Sequence, residues 1–316
     1  MSTGHHHGPQ ARSRAALTSS AAIASIAMAT FLLLLKLWAA AQTGSVAMLG
    51  SLADTGLDLI ASMVTLYGVR MAAQPADRQH RFGHGKAEAL AALFQVVIIV
   101  LSACGILYRA VERLVEKQTT AHAEYGIGVS IAAMVATLGL LAYQRHVIAR
   151  TGSVAIHADH VHYQSDVLLN GAVIAALALD QYAGIPWADP VFGVGIAVAL
   201  FIGAWRAASS AIDQLMDKEW PEEKRQRFIE AVGRQPGAAG MHDLRTRSSG
   251  TQDFVQFHVW VDPQMTVAEA HRITEDVEAA LEAEFPDTEV LIHLDPEGNT
   301  DREGVLPSAL AEEPMA

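Results

Sequence analysis

The sequence predicts a multi-pass α-helical membrane protein of six transmembrane helices, followed by a cytoplasmic ferredoxin-like α+β domain. Three observations predict it. The 316 residues are 51% hydrophobic and only 18% charged, with a mean hydropathy of +0.22, and the apolar residues gather in long runs within the first two-thirds of the chain. Two of those runs carry ionisable pairs four positions apart, Asp54 with Asp58 and His162 with Asp166. After about Asp217 the sequence becomes polar and takes on the periodicities of a soluble domain.

A membrane span needs about 20 mainly apolar residues. Six segments qualify: Ala15–Ala41, Val46–Met71, Ala87–Val115, Tyr125–Ile148, Val154–Leu179 and Pro186–Ala208. The second and fifth are the least apolar, as expected of helices that line a bundle interior. Basic residues set the orientation. Arg12 and Arg14, then Arg78, Arg81 and Lys86, then Arg145 and Arg150 mark one side, whereas the first and fifth connections carry no Lys or Arg. The third connection, with Arg113 and Lys117 beside Glu112 and Glu116, departs from the pattern. Both termini are therefore expected in the cytoplasm. Lys36, near the outer end of the first span, can extend its stem to the interface. Cys104, alone in an apolar run, reads as a packing residue.

The predicted organisation is a polar, disordered N-terminus over 1–14 containing His5, His6 and His7, a six-helix membrane domain over 15–208, a linker over 209–220, a metal-binding α+β domain over 221–296 and a disordered acidic tail over 297–316. Within the α+β domain the pattern gives a helix over Pro221–Val232, strands over Met241–Ser248 and Asp253–Val261, a helix over Val267–Glu284 and a strand over Asp287–Leu294. Pro221 suits a helix start, and Gly233 can supply a left-handed residue at its end. Val255, Phe257 and Val259 alternate with Gln256, His258 and Trp260, the pattern of a half-buried strand. Ser249-Gly250 marks the hairpin turn. The α-β-β-α-β order underlies the ferredoxin-like reading.

Residues four apart share one helix face. Asp54 and Asp58 therefore converge, as do His162 and Asp166, and four oxygen and imidazole ligands suit a tetrahedral divalent transition metal such as Zn²⁺, Cd²⁺ or Fe²⁺. Ionisable groups inside a bilayer are costly and mark ion pathways by default. The bland alternative makes one aspartate a cap and another a salt-bridge partner, but mid-span cations to pair with are missing. Asp159 falls on the same face; His157 and His160 point elsewhere, toward an entrance or interface. In the second connection Asp77, His80 and His84 would align on even a short helix, although a solvated basic loop with incidental histidines explains them equally well. Gly83-His84-Gly85-Lys86 lacks the full phosphate-loop pattern and the strand before it. In the last domain His293 and Asp295 share a strand face, with His242, His258 and His271 on neighbouring elements; surface histidines are the even alternative. The net charge of -12 argues against nucleic acid as a partner.

Together these residues resemble a known family, the cation diffusion facilitators, and most closely its bacterial zinc/ferrous-iron efflux transporters. The stretches that carry the resemblance are Ser51 to Asp58, Gln74 to Asp77, Phe82 to Glu88, His162 to Asp166, His242 to Arg247 and Ile292 to Pro296. The resemblance implies a transport site of Asp54, Asp58, His162 and Asp166, a loop site of Asp77, His80 and His84, and a cytoplasmic centre of His242, His258, His271, His293 and Asp295 that holds Zn²⁺. It further implies a membrane-edge charge pair, Lys86 with Asp217, and a homodimer joined through the cytoplasmic domains.

The expected function is proton-coupled export of a divalent metal, Zn²⁺ foremost, across the inner membrane by alternating access, with no organic cofactor and no enzymatic activity. The absence of a Walker motif leaves an ion gradient as the driving force. His162 is the expected proton carrier, because an imidazole titrates near working pH. A membrane-embedded metal sensor is the alternative, but a sensor has no need of ligands at mid-bilayer. An intramembrane metalloenzyme lacks the H-E-x-x-H pattern or an evident nucleophile.

Overall fold

The structure is a computed structural model that describes residues 9–43, 46–116, 124–183, 188–238, 240–250 and 252–297. The tail beyond 297, His5–His7, and the side chain of Asp54 lie outside the described residues. The chain forms two compact units. One comprises Arg14–Gln74 and Lys86–Ile212; the other joins Pro75–Gly85 to the chain from Asp213 onward.

The first unit is built of six long helices: α1 (Pro9–Thr43), α2 (Val46–Ala72), α3 (Ala87–Glu116), α4 (Glu124–Thr151), α5 (Val154–Ala183) and α6 (Ala188–Leu215). Among the described residues, three of them contain stretches long and apolar enough to cross a membrane, Ser13–Trp38, Ala87–Glu112 and Pro190–Leu215. Their outward faces are apolar: Phe31, Leu34, Leu101 and Trp205 are all exposed. Such a surface is a liability in water and is satisfied by lipid. Small residues fill the interior, including Ala21, Ala61, Ala91, Ala103, Ala155 and Ala204, which lets helix backbones approach closely. At Gly68 of α2 a Cβ would lie 2.4 Å from the Ala91 methyl of α3, so only glycine permits this crossing.

Two expectations are corrected here. Residues 9–14 are helical, because Pro9 pre-sets the first turn and alanine and arginine continue it. Cys104 is exposed on α3 and packs no core; an apolar run in a lipid-facing helix does not distinguish inward from outward positions.

The second unit contains α7 (Glu222–Gly233), β1 (His242–Ser249), β2 (Gln252–Val261), α8 (Val267–Glu284) and β3 (Thr288–Pro296). The strands form a mixed sheet in the order β1-β2-β3. β1 and β2 run antiparallel and β2 and β3 parallel. Val255, Phe257 and Val259 face a core that includes Phe228 of α7, Val277 and Leu281 of α8, and Phe285. α8 starts with a capping box in which the Thr266 and Glu269 side chains each bond the other's backbone N–H. α7 ends differently from the expectation. Arg234, in right-handed conformation, is its C-cap, and the left-handed glycines among the described residues of this unit are Gly83, Gly240 and Gly250. Gly250 (φ 61) turns the β1–β2 hairpin.

Candidate metal centres

In the helical unit, α2 and α5 bring Asp58, His162 and Asp166 together, each offering one ligand atom within 4.8 Å of the others. His162 Nε2 lies 3.0 Å from Asp58 Oδ1, and His162 is only 2% exposed. Asp54 lies on α2 one turn before Asp58. Behind the cluster, Tyr163 donates its hydroxyl to the Ser25 carbonyl at 2.9 Å and lies 3.1 Å from Ser62 Oγ. Asp159 is fully buried and accepts from Ser25 Oγ at 2.5 Å and Gln144 Nε2 at 2.8 Å. This net fixes α5 against α1, α2 and α4, and so fixes the direction of His162. His160 meets Gln144 at 3.3 Å and stays out of the cluster. Lys36 is half-buried and donates to Thr55 Oγ1 at 2.6 Å, an inward anchor where the sequence suggested an extended stem.

The loop cluster sits in the other unit. Asp77, His80 and His84 each offer a ligand atom within 4.8 Å of the rest. They converge through turns and not through a short helix. Asp77 Oδ1 accepts the backbone N–H of Gln79 at 2.8 Å and of His80 at 2.6 Å, and Gly83 (φ 78) closes a turn on the His80 carbonyl. The His80 N–H, then that of Gln79, holds the Asp77 carboxyl below its ordinary value. His84 Nε2 is 3.1 Å from His80 Nδ1 and 3.4 Å from Asp77 Oδ2. The loop docks on the β1–β2 hairpin: Phe82 packs edge-on to Phe254, and the Arg247 guanidinium lies over both rings at 4.7 and 4.6 Å. A Cβ on Gly85 would come within 2.1 Å of the Ser249 carbonyl oxygen. This docking has no signature in the sequence, since each partner alone reads as an ordinary surface residue.

The third cluster lies on the outer face of the sheet. Register places His242 opposite His258, His258 beside His293 and Trp260 beside Asp295. Asp295 Oδ2 is 2.7 Å from His258 Nδ1 and 3.2 Å from His242 Nε2. His293 Nε2 adjoins at 3.3 Å from Asp295 Oδ1. His271 is not brought in within this chain; it lies on α8, exposed, 3.4 Å from Glu275. The geometry adds Asp243, whose carboxylate is 3.6 Å from His258 Nε2 and is held by Arg245 at 2.9 Å. Its left-handed backbone (φ 47) has no signature in a sequence that reads as strand. His242 Nδ1 donates to the Gly240 carbonyl at 2.9 Å, which leaves Nε2 as the available ligand nitrogen. Two imidazoles and a carboxylate so arranged fit Zn²⁺ or a similar divalent ion. Lys86 and Asp217 fall in different units, and Asp217 pairs with Arg247 at 3.7 Å.

An acid–imidazole cluster around a buried histidine among membrane-type helices, joined to a polar domain with clusters of its own, defines a membrane protein that handles metal cations. Comparison with known proteins agrees. Residues 22–216 match the cation efflux transmembrane domain and residues 220–297 the cation efflux protein cytoplasmic domain. The cation-efflux pump FieF of Cronobacter sakazakii is 43% identical over 280 residues, covering 89% of this chain and 93% of that protein. FieF of Serratia proteamaculans is 44% identical over 282 residues, covering 89% and 94%. A solved zinc form of the putative zinc transporter CzrB is 36% identical over 27% of this chain and 99% of its own, with a TM-score of 0.25. The chain belongs to the cation diffusion facilitators, the cation efflux family, and its activity is metal cation efflux across a membrane.

Proposed function

We propose that this protein exports a divalent transition metal, Zn²⁺ foremost with Cd²⁺ and Fe²⁺ as further substrates, from the cytoplasm in exchange for protons. The single observation that carries this reading is the convergence of Asp58, His162 and Asp166 in the helical unit; Asp54, one turn before Asp58, is the fourth ligand. All six helices cross the inner membrane, with both termini cytoplasmic, and α2 and α5 rock together between inward and outward access. The apolar outer faces of the helical unit and the asymmetry of basic residues among the connections support that topology. Because Asp58 and His162 face each other through the very atoms a cation needs, metal and proton compete for them. His162 carries the proton.

The loop cluster, and the cytoplasmic cluster completed by His271 and His293, bind metal and bias the access equilibrium. The cytoplasmic domain joins two chains as a homodimer, and Lys86 with Asp217 ties the membrane domain to it. Purified protein in proteoliposomes tests the reading. Zn²⁺ flux should accelerate with an opposing proton gradient and move protons the other way; flux indifferent to that gradient would refute the exchange.

A further inference from the structure

Trp260 occupies an outward position on β2, in the alternation that places Gln256 and His258 on the polar face and Val255, Phe257 and Val259 in the core. The ring is 44% exposed, and its remaining surface is covered from one side. His242 lies on that side. The two rings are 4.9 Å apart between centroids and inclined by 39°. The segment before His242 is shaped around the same indole. Gly240 has φ 70, and a Cβ on it would lie 2.8 Å from Trp260 Cε3. Met241, next in the chain, is buried in the core, so Gly240 and His242 are anchored on both sides of a fixed point. The Gly240 carbonyl then accepts a hydrogen bond from His242 Nδ1–H at 2.9 Å. His242 Nε2 is left 3.2 Å from Asp295 Oδ2, the oxygen it shares with His258 Nδ1 at 2.7 Å.

We propose that Trp260 is a positioning residue for the cytoplasmic cluster: stacked on His242 and seated against Gly240, it presets that imidazole in the tautomer and orientation that present Nε2 to a metal. The inference rests on reading the cluster as a metal site. Its physical content is that a ligand ring held in place loses little freedom on binding, and that losing an outer partner of a metal-ligating histidine costs about 10- to 100-fold in affinity.

The test uses the full chain in detergent micelles, in a background carrying Asp58→Asn, Asp166→Asn, Asp77→Asn and His84→Ala, so that a Zn²⁺ titration against a competing chelator reports the cytoplasmic cluster. His258→Ala in this background should abolish the remaining binding; if it leaves Zn²⁺ binding unchanged, the metal-site reading fails and the inference with it. With that control in place, Trp260→Ala should weaken binding by about 10- to 100-fold. Trp260→Phe, which keeps a flat ring, should restore most of the affinity. Gly240→Ala, which drives a methyl into the indole, should reproduce the loss without removing the ring, and it tests the idea even if Trp260→Ala misfolds. Zn²⁺ should also change indole emission in the background protein, a change lost in Trp260→Phe. Unaltered affinity in both Trp260→Ala and Gly240→Ala, or a loss that Phe does not rescue, overturns the proposal. So does an effect of Trp260→Ala on oligomeric state alone, which would make the ring an interface residue.

Discussion

Replacing Asp58 by asparagine removes one charge from the intramembrane cluster while keeping its shape. His162 Nε2 lies 3.0 Å from Asp58 Oδ1, and a carboxamide can either accept from or donate to that nitrogen, so the packing of α2 on α5 survives. At that separation a pair of unit charges attracts by about 5.5 kcal/mol at an effective dielectric of about 20. A dication doubles the charge, and its desolvation cancels much of the gain. Removing one partner of a buried charged set costs about 3–5 kcal/mol in practice, which is about 10²- to 10³-fold or more in affinity. Zn²⁺ flux into proteoliposomes, measured as initial rate against metal concentration, should show KM raised by at least about 100-fold. Without added metal the melting temperature should fall as the His162–Asp58 contact weakens, while the protein stays folded at the assay temperature. A KM for Asp58→Asn close to that of the unaltered protein would refute the assignment of this cluster as the transport site.

Three further outcomes follow from the other unit. Asp295→Asn takes the charge from the oxygen that His242 and His258 share, so the Zn²⁺ bound per chain at saturation should fall, as read by equilibrium dialysis, while flux through the helical unit persists. The Asp77 carboxyl is held below its ordinary value of 3.8 by backbone N–H groups. Its contribution to loop order is therefore complete above that pH and is lost as pH falls through the lowered value; amide exchange at Gln79 and His80 should stay slow at mildly acidic pH and quicken only below about 3.8. Phe257→Ala opens a cavity among Phe228, Val277 and Leu281 and should destabilise the α+β unit by about 3–5 kcal/mol, seen as an early transition in thermal melting.

Much of this architecture could be read from the chain because the relevant signals are local. Apolar runs located α1 to α6, and the alternation around Phe257 located β2 with its core face. Four-residue spacing put Asp58 within a turn of Asp54, and Asp166 within a turn of His162. What local pattern cannot report is who meets whom across the fold. The Ser25–Gln144–Asp159 net behind His162 joins residues more than a hundred positions apart. The Arg247 stack on Phe82 and Phe254 joins a loop to a hairpin. Backbone conformation was equally hidden. Asp243 is left-handed where the pattern reads strand, the loop histidines converge through turns where spacing suggested a helix, and the left-handed glycine before β1 is Gly240 and not Gly233.

The polar net behind His162 bears on how exchange could work at all. A carboxylate buried among apolar helices is costly unless it is hydrogen-bonded. Asp159 meets that need at Oδ2 with hydroxyl and amide donors from α1 and α4, partners that neither leave nor ionise, and through that oxygen it belongs to the frame, while its Oδ1 has no hydrogen-bond partner among the described residues. Asp58 meets it with His162, a partner whose bonding depends on a proton. The two acids on one side of the bundle therefore differ in kind: one is locked by neutral groups, the other is held by a group that a cation can replace. That division lets α5 keep its direction while the site changes its occupant. It also predicts that Gln144→Leu, which removes one donor from Asp159, should lower thermal stability and slow turnover while leaving KM for Zn²⁺ near its original value. A raised KM without loss of stability would place Asp159 in the binding site and dissolve the distinction.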